Sequence, residues 1–305
     1  MKDKMVIVTG GAGFIGSNLV EALAQENKVF VIDNMHTGKE ENLSEAMKTG
    51  NVTLVRDDVK NINKYNVEAD CIFHFGIYSS TPMYRENPML VGEVATGMLS
   101  LLEFARKHNS KVVFASTSSL YNGIKPPHRE DTFPIVTDYY TEARFHAERL
   151  AELYNKMYGL DISALRYFSI YGYHEKEKGK YANLATQFLL AMKNGEKPVV
   201  YGDGTQRRDF TFVTDAVDAS LRAAEKNKGF NVYNVGTGRN YSINELIERI
   251  NNILGKDIKP VYVEVPFKNY VMENLADTEK AEKMLGFKAQ ITLDKGLELL
   301  NNYYW

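Results

Sequence analysis

The sequence predicts an α/β protein built on a doubly wound parallel sheet, with a smaller α/β lobe after it. Three observations carry this. Short apolar runs alternate with helical patterns through the first half of the chain. The first run ends in a glycine cluster that opens a helix. The second run ends in an acidic residue.

The elements follow in order. Residues 5–8 form an apolar run that reads as a buried strand. Residues 15–26 carry Ile15, Leu19, Ala22 and Leu23 at helical spacing. Further strands are expected at 28–33, 52–55, 71–75, 111–115 and 162–167. Helical patterns between them are clearest over 89–107 and 142–158. The rhythm changes after Tyr171. Residues 172–180 are charged and flanked by glycine, which reads as a surface loop. Beyond it come helices near 183–193, 214–224 and 243–254, and short strands at 198–201, 231–235 and 260–265. The expected division is 1–171 for the sheet domain and 172–305 mainly for the second lobe, with segments of the latter returning to the sheet.

Composition narrows the function. The chain has 305 residues, 37 Lys and Arg against 39 Asp and Glu, and a formal net charge of −2. Such a balance has no bulk pull toward nucleic acid or an anionic membrane. One cysteine, Cys71, excludes an intrachain disulfide and a cysteine-based zinc cluster. No apolar run approaches the roughly 18 residues of a membrane span, and the start of the chain lacks a signal-peptide core. A cytoplasmic location is expected. The six histidines have no metal-ligand spacing, so no metal is expected.

Gly10, Gly13 and Gly16 are spaced G-x-x-G-x-x-G between the first strand and the first helix. A turn without side chains lets the backbone approach a pyrophosphate, and the helix start offers free N–H groups and a positive dipole end. Asp33, at the end of the second strand, is placed to accept hydrogen bonds from an adenosine ribose and to repel a 2′-phosphate, which favours NAD over NADP. Asp58, after the third strand, is a candidate partner for the adenine amino group. These features describe a Rossmann-type dinucleotide site.

The fifth strand ends in Ser116-Thr117-Ser118-Ser119-Leu120-Tyr121. Hydroxyls at the carboxyl end of a parallel strand point at the crevice where ligands bind. No G-x-S-x-G elbow surrounds them, which argues against a hydrolase. Tyr140 and Arg144 are four apart, hence on one helix face. A cation there lowers a tyrosine pKa and makes the ring oxygen a base toward a sugar hydroxyl. Tyr139 has Ala143 in the corresponding place, which supplies no charge.

At these residues the chain resembles the extended short-chain dehydrogenase/reductase family, in its NAD-dependent nucleotide-sugar epimerase/dehydratase branch. The resemblance runs nearly end to end. It rests on Thr9 to Ser17, on the Ser116 to Tyr121 run, on Tyr140, on Leu165-Arg166-Tyr167-Phe168-Ser169-Ile170-Tyr171-Gly172, and on Tyr201 to Phe210. Asn234 to Gly238 and Ala276 to Ala281 are similar to further landmarks. It implies Thr117, Tyr140 and Arg144 as catalytic residues. It implies cofactor contacts from Gly10, Gly13, Phe14, Ile15, Gly16, Asp33, Asn34, Asp58, Val59, Phe75 and Gly76, together with Tyr140 and Arg144. Ser118, Ser169, Arg208 and Lys268 are the implied substrate contacts, with Arg208 on the diphosphate.

Three positions depart from the family pattern. Arg144 stands where the family has lysine, Ser169 where it has asparagine, and Val94 where another asparagine is usual. Ser118 and Ser119 follow Thr117, where the dehydratases have an acidic pair and the decarboxylases a glutamate. The absence of a carboxyl acid argues for epimerisation without elimination. The resemblance therefore implies a UDP-hexose 4-epimerase working through a transient 4-keto sugar, with NAD as cofactor and a UDP-linked substrate. A dehydratase or oxidoreductase, and an NAD-binding relative of weak activity, are the alternatives. Family members pair through two helices each, so a homodimer through helices 89–107 and 142–158 is expected.

Overall fold

A computed structural model of the chain describes residues 1–266 and 270–304. Its centre is a seven-stranded sheet. The strands are β1 (Met5–Thr9), β2 (Lys28–Asp33), β3 (Val52–Arg56), β4 (Cys71–His74), β5 (Lys111–Thr117), β6 (Ile162–Tyr167) and β7 (Phe230–Val235). All pairings are parallel, and the order across the sheet is β7-β6-β5-β4-β1-β2-β3. The winding direction reverses between β1 and β4. In such sheets the crevice for ligands opens at that point, outside the carboxyl ends of the strands.

Both faces of the sheet are covered, and strand alternation divides the core. Val6, Val8, Val31 and Phe73 pack on one face; Ile7, Ile32, Ile72 and Phe114 pack on the other. Helices α1 (Phe14–Leu23) and α5 (Val213–Lys226) cover the first face. Helices α2 (Leu90–His108) and α3 (Tyr139–Tyr158) cover the second through Leu101, Leu102, Ala147 and Ala151. Between α3 and α5 lies α4 (Leu184–Lys193), which with α6 (Ile243–Leu254) and α7 (Leu293–Tyr303) builds the second lobe. Phe230–Val235 belongs to the central sheet, beside β6, although it follows much of the lobe in the chain. No described helix is long and apolar enough to cross a membrane.

Two expectations change at their edges. The strand expected over 111–115 continues to Thr117, because Ser116 and Thr117 pair with Arg166 and Tyr167. The helix patterned most clearly over 142–158 begins at Tyr139, as the helical placement of Tyr140 and Arg144 requires, because Asp138 and Thr141 form a capping box that satisfies its first amides. Tyr140 therefore lies in the first turn of α3.

One buried ion pair ties α3 to the sheet. Glu148 of α3 accepts from Arg166 of β6 twice, Nε to Oε1 at 2.9 Å and Nη2 to Oε2 at 2.7 Å. Ser116 donates to the same Oε1 at 2.5 Å, and Arg166 Nη1 donates to the Tyr121 hydroxyl at 2.8 Å. Both charged side chains are almost wholly buried. Removing one partner leaves an uncompensated charge. Glu148→Ala is expected to lower unfolding free energy by about 3–5 kcal/mol in urea, and the double variant Glu148→Ala/Arg166→Met to recover much of that loss. Equal destabilisation of the single and double variants would refute the coupling.

Candidate active site

Every predicted site residue within the described chain, from Gly10 to Arg208, borders one cleft of about 380 Å³ at the switch point. Lys268 lies outside the described residues.

The glycine turn forms the floor at one end. Gly10 has φ +69°, and a Cβ there would collide with the backbone of Gly76. A Cβ on Gly16 would strike the Gly10 carbonyl oxygen. Gly13 caps α1 with extended backbone and no side chain. The chain thus leaves a bare cradle in front of the first-turn amides of α1, whose own acceptors lie outside the helix. Asp33 closes the cradle from β2. Its carboxylate accepts from the Ala12 amide at 2.9 Å and the Met35 amide at 2.8 Å. Burial pushes its pKa up, and these amides oppose the rise. Further along, Asn34 donates to Asp58 at 3.4 Å, and Asp58 also accepts from the Lys60 amide. The residues fit a dinucleotide: a side-chain-free cradle, a helix start, and the carboxylates of Asp33 and Asp58 beyond it.

The reactive end is built by β5 and α3. Thr117 ends β5 with its side chain buried, accepting from the Ser119 amide at 3.1 Å. Tyr140 is 8% exposed and faces the cleft, whereas Tyr139 is 53% exposed and faces away. Arg144 is buried one turn below, with its guanidinium carbon 5.2 Å from the centroid of the Tyr140 ring. It donates to the Ala115 carbonyl at 2.7 Å and the Tyr78 carbonyl at 2.8 Å. Its Nε is buried with no partner among the described residues. The arginine thus holds the ends of two chain segments together while its charge lies against the tyrosine ring.

The second lobe supplies the far wall. Arg208 donates to the Arg207 and Val271 carbonyls at 2.8 and 2.5 Å and lies near the Tyr270 ring. Burial lowers its pKa, yet as an arginine it stays charged. Its neighbour Arg207 instead bonds Asn240 and pairs with Glu245 at 3.0 Å. Asp209 is buried behind Arg208, accepting from the Thr237, Gly238 and Ala276 amides. Burial pushes its carboxyl up to about 6. Ser169 has φ +38° and borders the cleft.

Three residues escape a reading of the sequence. Asn274 donates to Ser118 Oγ at 3.3 Å and accepts from the Asp209 amide, joining lobe to sheet. Glu175 and Lys178 belong to the segment expected to be a surface loop, and both border the cleft. That expectation is corrected: Glu175 is 0% exposed because its carboxylate accepts from the Asn183 amide and the Thr186 hydroxyl. The charge of the segment concealed this, since periodicity cannot show a buried carboxylate.

A profile of the NAD-dependent epimerase/dehydratase family matches residues 6–236. The UDP-glucuronate 4-epimerase of Thermodesulfobacterium geofontis is 34% identical, covering 97% of this chain and 95% of that protein. A UDP-N-acetylglucosamine 4-epimerase of Methanobrevibacter ruminantium, solved with UDP-N-acetylmuramic acid, is 33% identical with a TM-score of 0.94, covering 100% and 99% of the two chains. A UDP-glucose 4-epimerase of Thermotoga maritima, solved with UDP-glucose, is 32% identical with a TM-score of 0.92, covering 98% of each chain. The chain belongs to the NAD-dependent epimerase/dehydratase family, and NAD is its cofactor. Within that family its relatives include nucleotide-sugar epimerases and UDP-glucuronic acid decarboxylases.

His74 ends β4 beside the cradle, and its Nδ1 lies 2.6 Å from Thr9 Oγ1. Burial, and then the charge of Arg144, push its pKa down to about 3 from 6.5. Between those values the unfolded chain holds the extra proton. The stability due to the neutral ring is therefore present above pH 6.5 and lost as pH falls toward 3. His74→Gln should flatten the pH dependence of the urea midpoint between pH 7 and 4. Parallel profiles would mean that folding leaves the proton affinity of the ring unchanged.

Proposed function

We propose that the protein is a UDP-hexose 4-epimerase working through a transient 4-keto sugar. The observation that carries this is the cleft itself: Tyr140 and Thr117 border it at one end and the glycine cradle at the other. The three relatives named above are UDP-sugar 4-epimerases by name. Ser118 and Ser119 supply no carboxyl acid beside Thr117, which supports epimerisation over elimination.

In this reading Tyr140 accepts the proton of the sugar C4 hydroxyl. Thr117 donates its hydroxyl proton to the same oxygen, because its own oxygen already accepts from the Ser119 amide. NAD, when bound, supplies the oxidised ring that takes hydride from C4 and returns it to the opposite face. Arg144 keeps a positive charge against the Tyr140 ring. Arg208 holds the diphosphate while the sugar turns, and Ser118 and Ser169 contact the substrate. Lys268 is a further proposed contact. Asp33, Asn34, Asp58 and Val59 receive the adenosine end of NAD, and Phe75 and Gly76 line the path to its nicotinamide end. We place the division between the two lobes near Tyr171. We further propose a cytoplasmic homodimer, paired through α2 and α3. Leu99, Leu153 and Met157 stand exposed on these helices.

The test is a panel of UDP-glucose, UDP-galactose and their N-acetyl and uronic forms, followed by NMR. At least one pair should interconvert with no lasting NADH absorbance. Tyr140→Phe should reduce turnover by about 100-fold or more with NAD still bound. A panel left unchanged by NAD-loaded protein would make the chain a non-catalytic relative.

Arg144→Lys separates two roles. Lysine keeps the charge but cannot span the Ala115 and Tyr78 carbonyls at once. Turnover should persist while the melting temperature falls. Loss of turnover with unchanged melting would contradict this division.

A further inference from the structure

Lys178 is the positive charge nearest the glycine turn inside the cleft. Its side chain is 14% exposed and its Nζ lies 5.5 Å from the centroid of the Phe14 ring, the first residue of α1. Among the described residues bordering the cleft, the other arginine and lysine side chains are Arg144 and Arg208. Arg144 is committed to the Ala115 carbonyl within β5 and the Tyr78 carbonyl in the segment after β4. Arg208 belongs to the far wall. Lys178 has Glu175 as its acidic neighbour at 3.8 Å, beyond hydrogen-bond distance. Burial, the larger effect, and the nearby Arg144 lower its pKa, while Glu175 opposes them.

The segment that carries Lys178 is built as a strap. At one side it is fastened to α1: His174 Nδ1 lies 2.7 Å from Ser17 Oγ, and Asn18 donates to the Tyr173 carbonyl at 3.0 Å. The Tyr304 hydroxyl accepts from the Glu175 and Lys176 amides. At the other side Lys180 and Tyr181 both reach Glu86, at 2.9 Å each. Glu175 braces the middle through Asn183 and Thr186. So many fixings hold a lysine where few charges can reach it. The Glu175 carboxylate partly offsets the cost of burying this ammonium, and a second anion in the cleft would offset it further.

We propose that Lys178 is a cofactor ligand that grips the pyrophosphate of NAD from above, opposite the first-turn amides of α1. The inference rests on the cleft being the NAD site. The dianion would lie between a helix start and an ammonium, and so meet positive potential from both sides. A sugar carboxylate is the competing anion. Lys178 stands over Phe14, at the glycine-turn end, and this favours the pyrophosphate.

The test uses protein loaded with isotopically labelled NAD. Release is followed by mass spectrometry during a chase with unlabelled NAD, ADP-ribose or adenosine. Lys178→Met should release NAD at least about tenfold faster than wild type, and Lys178→Arg should restore most of the retention. Adenosine, which has no phosphate, should gain about tenfold as a competitor relative to NAD, while ADP-ribose keeps its rank. Unchanged release in Lys178→Met would overturn the proposal, including the case where only the KM for an acidic nucleotide sugar rises. Faster release with adenosine keeping its rank would also overturn it, by showing general loosening of the cleft. Wild-type protein that holds no NAD would instead overturn the cofactor assignment, which is a separate failure.

Discussion

The position of α3 over the carboxyl ends of β5 and β6 is the constraint on which the rest depends. Tyr140, Arg144 and Glu148 recur every four residues on one face of that helix. Glu148 is clamped by Arg166 and Ser116, and Arg144 by the Ala115 and Tyr78 carbonyls. Two buried anchors below therefore fix where the first turn stands. The Tyr140 ring itself is held by packing, against Tyr84 and the Arg144 guanidinium. A side chain of the cleft is thus placed by anchors one and two turns along its own helix.

Arg144 shows how a change of residue type changes the work done. A lysine offers one compact charge with three rotatable donors, while arginine offers a planar fork. Here the fork reaches one carbonyl within β5 and one in the segment after β4, and its charge lies against the ring of Tyr140. The same side chain becomes a structural staple and an electrostatic neighbour. The orphaned Nε is the cost of that double duty within the described residues.

The second lobe closes the cleft by contacts that reach across the fold. Asn274 joins the Asp209 amide to Ser118, and Asp209 gathers the amides of Thr237, Gly238 and Ala276 behind Arg208. The strap from Gly172 to Asn183 crosses from α1 to Glu86. None of these ties is local. Each depends on the sheet having already brought its partners together.

The sequence by itself determined the strand-helix alternation, the glycine cradle, Asp33 and the choice of Tyr140 over Tyr139. Each is a short-range property: a period, a spacing of three or four, or a residue at the end of a strand. The start of α3 after Asp138 was also local, since its capping box joins residues three apart. Only the tertiary structure decided where Glu175, Lys178 and Asn274 stand, and it turned an apparent surface loop into a wall of the cleft. Their partners lie far along the chain, as Ser118 does from Asn274 and Phe14 from Lys178. A buried charge is recognisable only by what surrounds it, and those surroundings exist only once the chain has folded.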